Sequence, residues 1–151
     1  ASDVYKRQGD MKMQEKTLVL IKPDAFEKQH TGDIIAIYEK AGLKILAMKL
    51  MQMTPRVAQK HYVEHIGRPY YAELEEFMTS APLVAMVLAG DDAIARVREI
   101  NGKTNPAEAA EGTVRKLYAE SVGKNAVHAS DSPESAAREI AIFFSAIEVL
   151  D

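Results

Sequence analysis

Residues 125–134 read Asn-Ala-Val-His-Ala-Ser-Asp-Ser-Pro-Glu and join a short strand-like run to the start of a helix. Ser132 is a typical helix N-cap, and Pro133 suits the first helical position, where its missing N–H costs nothing. The chain must therefore turn soon after His128, which places this imidazole on a fixed turn. A histidine held in this way is a candidate nucleophile. From these residues alone, an ordinary strand-end histidine remains the alternative.

The helix that follows, from Pro133 to about Phe144, is predicted to place a carboxylate near this histidine. Its expected apolar stripe consists of Ala136, Ile140, Phe143, Phe144 and Ile147. Glu139 lies at the edge of the stripe, so that it is half covered by the domain. A carboxylate bonded to one imidazole nitrogen fixes the tautomer and leaves the other nitrogen free to attack. The pattern predicts a pair of His128 and Glu139, with a solvated Glu139 as the alternative.

Composition limits the class of protein. A chain of 151 residues fits one domain with a normal core. With 19 basic and 22 acidic residues it has no global positive field, so that neither nucleic acid nor a membrane surface is an expected partner. A polyanionic ligand would need a local basic pocket. The sequence has no cysteine, which excludes disulfides, thiol nucleophiles and cysteine metal sites.

The sequence shows neither a membrane-spanning run nor an N-terminal signal peptide. No apolar run approaches the ~18–20 residues that span a bilayer, and the first residues lack a signal-peptide core. We therefore expect a cytoplasmic protein. The first ten residues show no periodicity and end just before Met11 and Met13. We interpret residues 1–12 as a non-native or disordered extension and residues 13–151 as the domain.

The order of predicted elements favours an α+β fold. Strand-length apolar runs occur at Lys16–Lys22, Leu43–Met53, Pro82–Ala89 and Ala126–Ala129. Periodicity and capping residues predict helices at Gly32–Ala41, Pro55–His65, Tyr70–Thr79, Asp92–Ile100 and Pro133–Phe144. Residues 102–123 are predicted to form a long inserted loop with short helical pieces. This β-α-β-α-β-α-β order predicts a four-stranded antiparallel sheet covered by helices on one face.

Individual positions within these elements give sharper expectations. In the second strand we expect Leu43, Ile45, Ala47 and Lys49 on alternating positions of one face.

His61 and His65 have the i, i+4 spacing of helical zinc ligands, but no third ligand is evident, and we expect a solvated helix face. Tyr71 is expected in the core. Tyr70 fits either the core or a lid over a flat ring.

Basic and polar side chains at the element ends form a candidate anion site. Taken singly, each of the basic residues is an ordinary surface charge. Taken together, they could hold a triphosphate, because guanidinium groups, hydroxyls and amides complement phosphate oxygens. The set consists of Lys22, Arg98, Lys103, Thr104, Thr113, Arg115 and Asn125.

Five segments match, in order and spacing, the motifs of one enzyme family. They are Ile21–Ala25, Arg68–Tyr71, Thr104–Ala107, Gly112–Arg115 and Asn125–Ser132. The chain from Glu15 to Glu148 resembles the nucleoside diphosphate kinases. This resemblance implies a ferredoxin-like α/β sandwich. It also implies ping-pong transfer of the γ-phosphate from a nucleoside triphosphate to a nucleoside diphosphate, through a phosphohistidine, which maintains nucleotide pools.

The resemblance also implies a role for each matched residue. His128 corresponds to the nucleophile, and Glu139 and Ser130 to the residues that orient it. The implied phosphate ligands are Lys22, Tyr62, Arg98, Thr104 and Arg115, with Lys22 and Asn125 at the ribose hydroxyls. Tyr70 and Val122 correspond to the pair that clamps the base, with Leu74 beside it. Mg²⁺ is expected to enter with the nucleotide, and family members form dimers that build tetramers or hexamers.

Three departures from the family pattern leave questions open. Ala129 follows the nucleophile and Ala81 precedes Pro82, where the family usually has glycine, and Lys116-Leu117 replaces a small-acidic pair. Because the other catalytic positions are filled, we expect Ala129 to have an ordinary negative φ. A non-catalytic nucleotide-binding or regulatory module on the same fold is the alternative function.

Overall fold

The computed structural model describes residues 14–151, and the predicted N-terminal extension lies outside them. The four strands are β1 (Gln14–Ile21), β2 (Lys44–Met51), β3 (Leu83–Asp91) and β4 (Val127–Ala129). They form one sheet in the order β2-β3-β1-β4, and every neighbouring pair is antiparallel. The predicted α+β architecture is confirmed. The short β4 lies at one edge of the sheet, beside the buried β1.

Helices connect the strands in the predicted order. Their bounds are α1 (Pro23–Glu27), α2 (Thr31–Lys40), α3 (Pro55–His61), α4 (Tyr71–Met78), α5 (Ala93–Asn101), α6 (Val114–Tyr118) and α7 (Pro133–Phe143). Short 3₁₀ turns occupy Val63–His65, Pro106–Glu108 and Ala146–Glu148. The sequence did not predict α1, because Pro23 suggested only the end of a strand, whereas it takes the first helical position. Among residues 14–151, no helix has the length and apolar character needed to cross a bilayer.

Helices cover both faces of the sheet, so the expectation of a single covered face is wrong. On β1, Val19 and Ile21 belong to one apolar cluster, which includes residues of α2 and α5. Leu18 and Leu20 belong to a second cluster, which includes residues of α3, α4 and α7. A strand buried on both faces is apolar at consecutive positions, as this run is, rather than at alternating ones.

The edge strand β2 departs from regular alternation. Its register against β3 shifts between Ile45 and Ala47, which indicates a bulge. Ile45 packs against the first apolar cluster, whereas Ala47 belongs to the second, so the predicted common face is wrong. A bulge inserts one residue and reverses the faces of those that follow it. Met48 and Leu50 of this strand are 52% and 60% exposed.

Two helices are shorter than predicted. Helix α3 ends at His61 rather than His65, and a separate 3₁₀ turn covers Val63–His65. Helix α7 ends at Phe143, so that Ile147 lies outside its stripe and is 91% exposed. The N-cap prediction for α7 is confirmed, because the Ser132 hydroxyl accepts a hydrogen bond from the Ser135 N–H at 3.1 Å.

Candidate active site

His128 lies on β4, opposite Leu20 of β1, and its side chain is 22% exposed. Its Nε2 is 2.8 Å from Oε1 of Glu139, a buried residue of α7. The Ser130 hydroxyl donates a second hydrogen bond to the same carboxylate oxygen at 2.9 Å and accepts one from the Leu18 N–H at 3.2 Å. The capped start of α7 therefore places the carboxylate against the strand that carries the histidine, as the sequence predicts.

This arrangement selects one tautomer of His128. An ionised carboxylate can only accept, so Nε2 must carry the proton and Nδ1 keeps its lone pair. Burial lowers the pKa of the His128 imidazole below its usual 6.5, and the hydrogen bond that the ring donates to Glu139 opposes that effect in part. The ring is therefore neutral near pH 7, with Nδ1 as its nucleophilic atom.

A tight turn precedes the histidine and was not predicted. Ala126 has a φ of +73°, and the Val127 N–H donates to the Asn125 carbonyl at 2.8 Å. A bond between residues i and i+2 around such a φ describes a γ-turn of the rare, strained kind. Asp24 stabilises the turn by accepting from the Ala126 N–H at 3.0 Å. No sequence rule predicts positive φ at an alanine, so only the structure could reveal this turn.

The turn brings the Asn125 side chain against Lys22 at the end of β1. The Lys22 Nζ donates to the Asn125 Oδ1 at 2.9 Å. Burial, and then the positive charge of Arg115, lower the pKa of Lys22 from 10.5 to about 8, while Asp24 acts to raise it. The Lys22 ammonium is therefore a cation whose charge is costly in this site. An anion bound beside it would offset that cost.

The two arginines of the site are held in different ways. Arg115 donates to three backbone carbonyls, those of Gly102 at 2.6 Å, Val127 at 2.9 Å and Asn125 at 3.3 Å. Arg98 is exposed on α5, and its guanidinium makes no hydrogen bond within residues 14–151. Arg115 is thus a fixed cation that also ties the inserted loop to the sheet, whereas Arg98 is available to a ligand.

A cleft of about 370 Å³ opens beside His128 and contains every implied phosphate ligand. These residues are Lys22, Tyr62, Arg98, Thr104 and Arg115, with Asn125, His128 and Glu139. Lys103 and Thr113, two members of the predicted anion set, lie outside it and line a neighbouring cavity of about 900 Å³. Thr113 serves as the N-cap of α6, where its hydroxyl accepts from the Lys116 N–H.

Tyr62 offers a hydroxyl that nothing in the described part of the chain engages. This side chain is 8% exposed, and its hydroxyl has no hydrogen-bond partner within residues 14–151. Burial, and then the negative charge of Glu139, raise the pKa of the phenol above its usual 10. A buried donor without a partner costs roughly 1–3 kcal/mol. An anion in the cleft would satisfy it.

Another cavity, of about 590 Å³, adjoins the cleft and shares Lys22, Tyr62 and His65 with it. Its other lining residues include Tyr70, Leu74, Phe77 and Val122, which give it an apolar character suited to a flat ring. Tyr70 is 48% exposed, and its hydroxyl is 2.6 Å from the His65 Nδ1. Tyr71 is buried, as expected. Tyr70 therefore does not lie in the core, and its role as a lid over a flat ring stays a prediction.

His61 contradicts the expectation of a solvated helix face. It is 4% exposed, and its ring centroid lies 4.6 Å from that of His128 at an interplanar angle of 85°. Burial, and then the electrostatic interaction with the neighbouring His128 ring, lower the pKa of His61 to about 2, so this ring is neutral. Its spacing of three residues from Ala58, which is also buried, was the signal that the apolar face of α3 includes it.

The backbone at Ala129 agrees with the sequence-based expectation. Within residues 14–151 the non-glycine residues with positive φ are Gln29, Asp92 and Ala126. Ala129 has a negative φ, and so does Ala81. Neither alanine is therefore strained by occupying a position where the family usually has glycine.

Comparisons with known proteins agree with one another. Residues 15–149 match the family model described as "Nucleoside diphosphate kinase". A protein of that name from Paracoccus denitrificans is 57% identical over 136 residues, which cover 90% of this chain and 97% of the relative. The Aquifex aeolicus nucleoside diphosphate kinase structure superposes with a TM-score of 0.89 at 47% identity, over 91% of this chain and 100% of that one. A Halobacterium salinarum nucleoside diphosphate kinase in complex with CDP gives 0.89 at 39% identity, covering 92% and 93%.

Proposed function

The chain belongs to the nucleoside diphosphate kinase family, and from that premise we propose that the Nδ1 atom of His128 carries the phosphate that the enzyme transfers between nucleotides. The hydrogen bond of 2.8 Å between His128 Nε2 and Glu139 Oε1 supports this assignment most directly. It orients the ring and leaves the Nδ1 lone pair for attack. Because His128 also lines the basic cleft, the phosphate and the nucleophile would share one site.

The proposed transfer has two matched halves. The Nδ1 lone pair attacks the γ-phosphorus, a P–N bond forms, and the bond to the β-phosphate oxygen breaks so that the nucleoside diphosphate leaves. The phosphoimidazolium keeps its Nε2 proton, which Glu139 stabilises. A second nucleoside diphosphate then attacks the phosphohistidine through its terminal oxygen, and the neutral imidazole returns. No separate base is needed, since the imidazole begins neutral and ends neutral.

The basic side chains of the cleft would neutralise the transferred group. Phosphoryl transfer depends mainly on in-line positioning and on charge stabilisation. We assign Lys22, Arg98 and Arg115 to the phosphate oxygens, with hydrogen bonds from Thr104 and the unpaired Tyr62 hydroxyl. Ser130 has a different part, because its hydroxyl is used to hold Glu139 in place.

The adjoining cavity would take the nucleoside. We assign the base to the space between Tyr70 and Val122, with Leu74 beside it, and the ribose hydroxyls to Lys22 and Asn125. Ring stacking and apolar contact read no base edge, so broad tolerance of nucleoside di- and triphosphates is expected.

The cleft fits a nucleotide that brings its own Mg²⁺. Its lining carboxylates are Glu64, Asp131 and Glu139, and the last is already bonded to His128 and Ser130. Mg²⁺ commonly uses substrate phosphates and water rather than a cage of protein oxygens. We propose that phosphate oxygens hold the ion. When bound, it would supply further charge neutralisation.

We also propose that the protein acts as a homo-oligomer in the cytoplasm. The exposed apolar residues of the edge strand β2, Met48 and Leu50, support self-association. Fractionation of cells that express the chain would test the location.

One incubation with γ-labelled ATP tests the assignment of the nucleophile. Wild-type protein should retain label that is labile to acid and stable to alkali, as a phosphohistidine is. The His128→Ala variant should fold, retain no label and exchange no phosphate. Initial rates at several fixed donor concentrations should give parallel lines. Normal turnover by His128→Ala, or intersecting lines, would refute the proposal.

A further inference from the structure

His61 takes no part in the proposed transfer, although it touches the nucleophile. Its ring packs edge-on against His128, with further edge contacts to Tyr62 at 4.5 Å and Phe143 at 5.4 Å between centroids. Its Nδ1 is buried and has no hydrogen-bond partner within residues 14–151. An unpaired buried nitrogen is costly, and nitrogen of this kind is a common metal ligand.

His61 completes a three-residue donor set with the catalytic pair. Ligand atoms of His61, His128 and Glu139 all lie within 4.8 Å of one another. All three residues line the same open cleft, so an ion can enter from solvent. In a tetrahedral zinc site with bonds of about 2.0–2.1 Å, the ligand atoms lie about 3.3 Å apart. Small side-chain rotations would therefore bring the three ligand atoms within bonding distance of one ion.

The chemistry of the set selects the class of ion. Two neutral imidazoles and one carboxylate, with an open fourth position, suit zinc and related transition metals. Mg²⁺ prefers oxygen ligands in octahedral geometry and is a poor match for two imidazole nitrogens. The ion that accompanies the nucleotide would therefore not fill this set.

We propose that His61, His128 and Glu139 bind a divalent transition metal such as Zn²⁺, and that the bound ion stops phosphoryl transfer. Either ring nitrogen of His128 gives the same result. An ion on Nδ1 takes the lone pair that attacks phosphorus. An ion on Nε2 takes the lone pair of that nitrogen, so the ring proton moves through solvent from Nε2 to Nδ1. Nδ1 then has no lone pair with which to attack phosphorus, and the hydrogen bond to Glu139 that orients the ring is lost. The inhibitory part of this inference rests on the proposed function, whereas the binding part does not.

Cobalt provides a probe of the site that does not depend on activity. Co²⁺ in a four-coordinate site of nitrogen and oxygen ligands has intense visible absorption, which Zn²⁺ abolishes by displacement. The full chain should develop this band at one equivalent of Co²⁺. The His61→Phe variant keeps a ring against Tyr62 and Phe143 but loses the ligand, and its band should be absent. The matched control is His30→Phe, since His30 stacks on Tyr118 at 4.7 Å and is not one of the three ligands.

Inhibition by Zn²⁺ at saturating Mg²⁺-nucleotide is the second readout. The Zn²⁺ concentration that halves turnover, normalised to each variant's own rate without zinc, should rise roughly tenfold or more in His61→Phe and stay unchanged in His30→Phe. Circular dichroism checks folding, and His61→Gln replaces His61→Phe if the latter does not fold. A wild-type protein without the band, or a His61 variant that keeps it, would overturn the inference. A band in a protein without transferase activity would instead refute the proposed function and leave the metal site standing.

Discussion

At the residue scale, we expect Lys22 to set an alkaline limit on nucleotide capture. Its pKa of about 8 means that the free protein loses this positive charge as the pH rises through 8. Since kcat/KM reports the ionisations of the free enzyme, it should fall above about pH 8. Lys22→Arg keeps a cation whose pKa exceeds 12, so its alkaline limb should disappear between pH 8 and 10. Steady-state kinetics across this range test the assignment, and an unchanged limb in Lys22→Arg would contradict it.

Deprotonation of Lys22 is expected to lower the rate but to raise the stability of the fold. This contrast distinguishes a rate lost with the Lys22 charge from a rate lost through unfolding. An unfolded lysine has a pKa near 10.5, so between pH 8 and 10.5 the unfolded chain binds more protons at this position than the folded one. The contribution of Lys22 to the free energy of unfolding therefore rises with pH in that window. On the acid side, burial lowers the pKa of His128, so the imidazole should stay neutral to a lower pH than that of an ordinary histidine.

At the scale of elements, two glycines of the inserted loop form a matched pair. Gly102 and Gly112 have φ of +87° and +86°, so that alanine is strained at both. A Cβ at Gly112 would meet nothing within 4 Å, whereas one at Gly102 would lie 2.6 Å from the Thr113 Oγ1. Gly112→Ala should cost about 1–2 kcal/mol from backbone strain alone. Gly102→Ala should cost more, because the N-cap of α6 must move.

Chemical denaturation of the two variants measures that difference. Gly102→Ala should also lower turnover, since the Gly102 carbonyl accepts a hydrogen bond from Arg115 at 2.6 Å. Gly112→Ala should leave turnover close to that of the wild type. Equal losses of stability in the two variants would mean that the Thr113 contact is not a constraint on the loop.

Local sequence patterns predict the elements of this fold better than the orientation of their side chains. The run around Ser132 and Pro133 gives the start of α7 and places Glu139 beside His128, because capping and helical period are local properties. The burial of His61 depends instead on which face of α3 meets the sheet. A spacing of i, i+4 cannot supply that information. The bulge at Ile45 and the turn at Ala126 likewise depend on partners distant in the sequence.

At the scale of the whole molecule, we expect substitutions of the two arginines to distinguish a catalytic role from a role in folding. Arg98→Ala and Arg115→Ala should each lower turnover by roughly 10²–10³, the usual loss when one preorganised charge stabiliser is removed. Only Arg115→Ala should also lower the free energy of unfolding, because it removes two bonds that tie the loop to β4 and its preceding turn and a third bond to the Gly102 carbonyl. Thermal unfolding of both variants, beside their kinetics, checks the contrast. An Arg98→Ala variant as destabilised as Arg115→Ala would show that both residues hold the fold.

The exposed apolar residues of the edge strand β2 predict that the whole molecule self-associates. This strand ends the sheet, and the Leu46 carbonyl bonds the Leu150 N–H at 2.9 Å, so the C-terminal segment covers part of the edge. Met48 and Leu50 remain more than half exposed on a strand that a second copy could extend. Burying these side chains would stabilise an assembly, and charging them would oppose it. The double substitution of Met48 and Leu50 by glutamate should lower the mass measured by light scattering to that of a smaller species, while the control Lys44→Glu on the same strand should not. An unchanged mass in the double variant would place the contact between subunits elsewhere on the molecule.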